Sequence, residues 1–359
     1  MVSSHEVSYF LGANAPSGFY SLYSHLLPPE QARVIYILKG GPGCGKSTLM
    51  RKVSQLVSQQ GEAVEYILCS GDPGSLDAVI FPGLAAAIVD GTAPHVVEPK
   101  YPGVVEDYVD LGKSYRRETL QPLREEIMRC MAGYKGCYQR AYRCLGAAGE
   151  IMADARAILS SPSLEDRLAR RAKGILTREL KDRHTAPGQA KQRFLGAMTH
   201  QGPITLYGTV QAQCPKVYEL SDRYGLAHCL LSHLLAGALA RGYDAVVCPA
   251  PMAPDRLAHL LFPQEGLAFV SSTPDLPYPE KPFRHLRLES GADQDVLRKN
   301  RSRLRFARRV SSALEEEAVS SLAQAKAMHD QLEALYNPHV DFGFVDETAC
   351  RLAKTLLEQ

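Results

Sequence analysis

The chain carries almost no excess charge. Lys and Arg number 41 against 39 Asp and Glu, a formal net charge of +2, so nothing global points to a nucleic-acid or membrane partner. It lacks any stretch of about 18 uncharged apolar residues, so no membrane-spanning helix is expected. Met1-Val2-Ser3-Ser4-His5-Glu6 has no basic start followed by an apolar run; a leader peptide is not expected and the protein reads as cytoplasmic. Its nine cysteines include no Cys-x-x-Cys pair, which argues against a zinc site or a disulfide framework. Cys130, Cys137 and Cys144 recur every seven residues in a helical stretch. Neighbours there lie roughly 10 Å apart along a helix, too far to share a metal or a disulfide. They are read as small buried hydrophobes on one helix face.

What is present is enough for two domains. The chain has 359 residues, 45% apolar and 22% charged, the balance of a soluble globular protein. It is also a duplication. Phe10-Leu11-Gly12-Ala13 returns as Phe194-Leu195-Gly196-Ala197, and Gly18 and Leu22-Tyr23 match Gly202 and Leu206-Tyr207 at the same offset of 184. From Leu49/Leu230 to Thr92/Thr273 the offset is 181, with Gly61/Gly242, Pro73/Pro254, Leu76/Leu257 and Phe81-Pro82/Phe262-Pro263 in register. The three-residue difference is assigned to a loop between Tyr23 and Val34, at Pro28-Pro29. A long charged helical region follows each copy. Each is broken by a turn signal, Ser161-Pro162-Ser163 and Asn337-Pro338. Each region is read as a helical hairpin packed on its own α/β core. The expected division is 1–185, a linker at 186–192, and 193–359, with the halves facing each other about a pseudo-twofold axis.

The first half holds the most specific motif. Arg33–Leu38 is rich in β-branched and aromatic residues and reads as a buried strand. It enters Gly40-Gly41-Pro42-Gly43-Cys44-Gly45-Lys46-Ser47-Thr48, after which Leu49, Met50, Val53, Leu56 and Val57 recur at helical spacing. Strand, glycine-rich turn and helix are the context that the G-x-x-x-x-G-K-[ST] pattern requires. Glycines let backbone N–H groups converge on phosphate oxygens without a Cβ in the way, and the helix N-terminus adds free donors and a positive dipole end. Lys46 is expected to reach the β- and γ-phosphates, Ser47 to ligate Mg²⁺, and Thr48 to approach the α-phosphate. The expected ligand is ATP with Mg²⁺. No Asn-Lys-x-Asp guanine-reading pattern occurs, which favours adenine. Cys44 is either a redox-sensitive thiol at a helix N-terminus or a small residue filling the loop; the second is preferred.

Magnesium chemistry needs carboxylates near such a loop. Leu84–Asp90 is an apolar run ending in an acid, so Asp90 is the expected metal and catalytic carboxylate beside Lys46. No Glu follows it, so the usual water-activating residue of many ATPases is missing there. Asp72 and Asp77 follow the strand Val64–Leu68 and stand either beside the ligand or as turn and helix-cap residues; His95 is a weaker candidate. In the second copy the 181 offset sets Leu226, Ala227 and His228 against Gly45, Lys46 and Ser47, and Ser271 against Asp90. That copy is expected not to bind Mg-nucleotide by itself. It can still act on the first through an arginine in cis, with Arg298, Arg301, Arg305 and Arg308 as candidates and Arg116, Arg117 and Arg124 as rivals. One aromatic, Phe306, among these arginines is not the interleaving that stacks bases, so no nucleic-acid role is assigned.

The chain resembles a family of bacterial proteins with two tandem P-loop domains, usually described only as ATPases. The likeness rests on Ile37–Thr48, Asp72-Pro73-Gly74-Ser75-Leu76-Asp77, Val89-Asp90-Gly91-Thr92-Ala93-Pro94-His95 and Lys100-Tyr101-Pro102-Gly103. It implies two tandem P-loop NTPase-like parallel-sheet domains of the α/β class and ATP binding, with no defined substrate. Members of that family can carry the loop in both copies; this sequence departs at Leu226, Ala227 and His228. The function expected is ATP hydrolysis driving a change between halves, with a small-molecule kinase or a non-hydrolysing nucleotide sensor as alternatives.

Overall fold

The computed structural model describes residues 6–358. Met1–His5, where no leader pattern was found, and Gln359 lie outside the described residues. In the first half the strands are β1 (Glu6–Tyr9), β2 (Gly12–Ala15), β3 (Gly18–Ser21), β4 (Val34–Lys39), β5 (Val64–Leu68), β6 (Leu76–Phe81), β7 (Ala86–Asp90) and β8 (Glu106–Asp110). Helix α1 (Lys46–Ser58) follows β4, and α2 (Arg117–Leu120), α3 (Arg124–Leu159) and α4 (Pro162–Glu179) follow β8. The second half repeats the plan with β9 (Ala190–Gln192), β10 (Gly196–Thr199), β11 (Gly202–Thr205), α5 (Tyr207–Gln213), β12 (Lys216–Ser221), α6 (Ala227–Leu239), β13 (Ala245–Ala250), β14 (Ala253–Phe262), β15 (Leu267–Ser272) and β16 (Arg284–Arg287). Helices α7 (Gln294–Lys299), α8 (Arg301–Tyr336) and α9 (Phe342–Glu358) close the chain.

Each half builds a six-stranded sheet, in the order β1-β5-β6-β7-β4-β8 and, correspondingly, β9-β13-β14-β15-β12-β16. The expected parallel sheets are in fact mixed: β6 runs antiparallel to both β5 and β7, and β14 to both β13 and β15. The reason is local. Asp72-Pro73-Gly74-Ser75 is a tight turn, closed by Ser75 N donating to Asp72 O at 2.8 Å, so β5 and β6 form a hairpin without a crossover helix. Asp77 therefore sits in a strand and caps no helix.

The halves meet about a pseudo-twofold axis. Phe10 and Phe194, equivalent in the repeat, exchange two backbone hydrogen bonds of 2.9 Å across it. Their neighbours Tyr9, Leu11 and Leu195 belong to one apolar core shared by both halves. A buried ion pair crosses the same boundary, with Arg193 Nε and Lys191 Nζ each 2.5 Å from the Glu65 carboxylate.

The helical regions depart from expectation. The hairpins do not fold back on their own cores; the halves exchange them. Helices α3 and α8 run antiparallel along each other, with Cys130 and Cys137 against Met328, Arg140 against Glu317, and Asp154 against Arg303. Each has 36 residues, a span of roughly 54 Å, so each delivers the chain to the far half. There α4 lays Leu164, Leu168, Ala172, Ile175 and Leu176 on α6 of the second half, and Gly237 leaves room for the Leu176 side chain. Reciprocally, α9 lays Val345, Ala349, Leu352 and Leu356 on α1 of the first half. The turns fall where read: Ser161 caps α4 by accepting from Leu164 N, and a 3-10 turn over Asn337–His339 precedes α9. The cysteine series of α3 lies half-buried along the seam with α8, and no cysteine is in a disulfide.

Candidate functional site

Strand β4 pairs in parallel with β7 on one side and β8 on the other, setting Leu38 against Asp90. The two chain ends that matter thus leave the sheet side by side. After Lys39 the chain turns through Gly43 (φ +70°) and Gly45 (φ +82°) into α1, conformations that side chains with a Cβ strain to adopt. Gly43 also has no room for one, since a Cβ there would lie 2.7 Å from Asn337 Oδ1. The second half's C-terminal elements therefore pack directly on this loop.

No side chain caps α1. The backbone N–H groups from Gly43 to Thr48 meet no backbone acceptor among the described residues, and only that of Lys46 faces a side chain, the Cys44 thiol, although a helix start needs partners for its first donors. Lys46 Nζ donates to Gly40 O at 2.7 Å and Gly41 O at 2.9 Å, and lies 3.6 Å from Asp90 Oδ2. Asp90 Oδ1 accepts from Thr92 N and Thr92 Oγ1 at 2.9 and 2.6 Å, which fixes the carboxylate. Ser47 Oγ accepts from Leu76 N at 3.0 Å, leaving its hydroxyl proton and second lone pair for another partner.

Gly40 through Thr48 and Asp90 all line one cavity of about 760 Å³, together with Asp72, Asp77 and His95. Ser47 and Asp90 are an oxygen donor pair of the kind Mg²⁺ takes, alongside water and phosphate oxygens. Cys44 is 1% exposed. Burial pushes its thiol up, outweighing the pull of Lys46; it packs as a small residue and is not a poised thiolate.

Asp77 and His95 form a buried pair beside this loop. His95 Nε2 lies 3.4 Å from Asp77 Oδ1, and Tyr23 Oη donates to Asp77 Oδ2 at 2.8 Å. Burial raises the Asp77 carboxyl, while His95 and Tyr23 pull it back down. His95 Nδ1 is buried with no partner.

The remaining walls come from the long helices: Met131, Tyr134 and Tyr138 from α3, and Lys326, His329 and Glu333 from α8. Lys326 Nζ is 3.4 Å from Asp72 Oδ2. None of Arg116, Arg117, Arg124, Arg298, Arg301, Arg305 or Arg308 lines this cavity; Arg305 and Arg308 line the corresponding one in the second half. The lysine that the second half brings to this cavity is Lys326. Sequence reasoning passed over it because Lys326, His329 and Glu333 at helical spacing look like any solvated face.

In the second half the loop from β12 to α6 is one residue shorter, so part of the change in repeat offset lies here and not between Tyr23 and Val34. Asp222, opposite Gly40 once the strands are superposed, turns inward. Its carboxylate accepts from Leu226 N at 2.8 Å, Ala227 N at 2.7 Å and Tyr224 N at 3.2 Å. The donors left open at the start of α1 are thus taken at α6 by the protein's own acid.

Among the described residues no helix is long and apolar enough to cross a membrane. Comparisons with protein-family models, with curated proteins and with solved structures find no match.

Proposed function

We propose that the first half binds a nucleoside triphosphate with Mg²⁺ and hydrolyses it, and that the second half completes the site instead of holding a nucleotide of its own. One observation carries the reading. The N–H groups at the start of α1 are uncapped and border a cavity with Lys46 and Asp90, whereas Asp222 satisfies their counterparts at α6. An uncapped helix start beside an ammonium is a strong site for phosphate. With a triphosphate in the loop, Lys46 exchanges the Gly40 and Gly41 carbonyls for phosphate oxygens. Ser47 and Asp90 are the residues that would hold the cation, which neutralises charge on the transferring phosphoryl group.

Asp77 and His95 supply what the missing Glu after Asp90 does not. The carboxylate orients the imidazole, whose ring borders the cavity, so the pair can position water. Lys326 brings a positive charge from α8 toward the same space. Because it rides on the exchanged helix, turnover is coupled to the relation between the halves. The wall of Met131, Tyr134 and Tyr138 supports a second reading, in which an acceptor hydroxyl replaces water and the protein is a small-molecule kinase.

The deciding experiment is calorimetric titration of the full chain with Mg-ATP, with phosphate release followed in parallel. Binding in the micromolar range, about −8 kcal/mol, that is lost in Lys46→Ala is expected. No uptake at millimolar nucleotide would sink the reading. ADP formed only with an added metabolite would move it to the kinase.

A further inference from the structure

The second half's loop edge also opens on a cavity, of about 1060 Å³, related to the first by the pseudo-twofold axis. Asp222 closes the helix start there, so backbone N–H groups are not what it offers. It offers guanidinium groups. Arg156, arriving on α3 from the first half, and Arg256, from β14, converge on Gly225. Arg256 Nη2 donates to Gly225 O at 3.1 Å, and Arg156 Nη1 stands 3.2 Å from where a Cβ on Gly225 would lie.

Neither guanidinium forms an ion pair among the described residues, and Arg256 Nε is buried without an acceptor. The acids nearby offset this charge only in part. Asp222 is committed to three backbone donors, and Asp255 does not pair with either arginine. Burial and the Arg256 charge lower Arg156 below its ordinary value by more than Asp255 and Asp222 raise it. Arg305, Arg308 and Arg309 of α8 line the same space. Asp275, Glu315 and Glu316 line it too; burial and these acidic neighbours raise Glu315, against the pull of Ser311.

The pattern is particular to this cavity. In the α3–α8 repeat Arg156 corresponds to Glu333 and Arg308 to Met131, so positive charges that the first cavity lacks at these positions stand in the second. Met152, Met198 and Met252 add adaptable apolar surface.

We propose that the second cavity binds a phosphate monoester of metabolite size, its phosphate held by Arg156 and Arg256 over Gly225 and its carbon body against the methionines. Planar guanidinium forks match phosphate oxygens in pairs, and a concave, mostly apolar wall with a few converging polar groups suits a small ligand. The proposal is independent of the nucleotide reading of the first half. Since Arg156 belongs to one half and Gly225 to the other, such a ligand would bridge them.

Phenyl phosphate is the probe, titrated calorimetrically into the full chain carrying Lys46→Ala, which removes the first loop's ammonium. One saturable site with a dissociation constant at or below about 1 mM is expected. Arg156→Gln and Arg256→Gln should each weaken it about tenfold or more, because each removes a charge-assisted contact. Arg298→Gln, at an exposed arginine paired with Asp295 outside the cavity, should leave it unchanged. Arg156→Lys keeps the charge without the fork and should fall between parent and Arg156→Gln, a graded series that unfolding does not produce; circular dichroism melts verify each variant. The absence of saturable binding up to about 10 mM, or equal affinity in parent and folded Arg156→Gln, overturns the proposal.

Discussion

Replacing Glu65 by Gln is expected to cost the protein about 3–5 kcal/mol, since breaking one side of a buried ion pair leaves the other charge uncompensated. The structure says which charge that is. Arg193 is fully buried, and its Nε meets Glu65 Oε1 at 2.5 Å. Three carbonyls also accept from it, those of His25 at 2.6 Å, Gln192 at 2.8 Å and Leu26 at 3.0 Å. They satisfy its N–H groups without neutralising it, which favours the lower end of the range. Lys191, the second partner, is 44% exposed at its side chain and screened by solvent, so it adds less than about 1 kcal/mol. Burial pushes the Glu65 carboxyl up, but Arg193 and Lys191 more than offset this and hold it below its ordinary 4.5. A depressed acid contributes stability that is present above the unfolded value and lost as pH falls through the folded one. The gap between parent and Glu65→Gln should therefore be full at neutral pH and shrink below about pH 4. Equilibrium urea unfolding, followed by far-ultraviolet circular dichroism across that range, measures it. A gap under about 1 kcal/mol at neutral pH, or one that widens in acid, contradicts the reasoning.

Lys326→Ala should leave Mg-ATP affinity within a few-fold of the parent and slow phosphate release by about ten- to a hundredfold, because a preorganised cation acts mainly on charge developing in the transition state; an unchanged rate removes Lys326 from the mechanism. Burial holds His259 down at about 4 against an ordinary 6.5. The unfolded chain takes its proton first, so about 3 kcal/mol of stability, present above pH 6.5, should drain away as pH falls to 4. His259→Gln should flatten that part of the stability profile, and a profile parallel to the parent's counts against the assignment. A fragment of residues 190–359 lacks α4 and bares the face of α6 that carries Leu230, Leu231 and Leu234. The α4 leucines and Ile175 that cover it are worth about 1.5–3 kcal/mol each. The fragment should associate or fail to show a cooperative melt, and a monomer melting like the full chain contradicts the exchange.

Much of this was legible in one dimension. The duplication was readable because matched glycines and prolines mark turns that both copies need. The strand, loop and helix around Lys46 were readable because a left-handed turn leading into a helix admits few residue types. The end of β7 at Asp90 followed from an apolar run closed by an acid. Three features resisted. The β5–β6 hairpin looked like a loop followed by a helix cap, since Pro-Gly turns serve both. The missing residue between β12 and α6 was invisible because an ungapped helix match absorbed it. Asp222 looked like ordinary loop polarity, for nothing in a sequence says that a carboxylate turns back onto the amides after it.

By itself, then, the order of residues determined which segments become strand, turn and helix, and which short run matches the pattern of a phosphate-binding loop. Those are local matters of backbone freedom and apolar spacing. Only the tertiary structure decided which half each helix serves. An amphipathic stripe such as Leu164–Leu176 specifies an apolar partner without specifying whose, and α1 and α6 offer similar faces. Two helices of 36 residues carry α4 and α9 past their own cores to the opposite ones. Lys326 reaches the first cavity, and Arg156 the second, by that route.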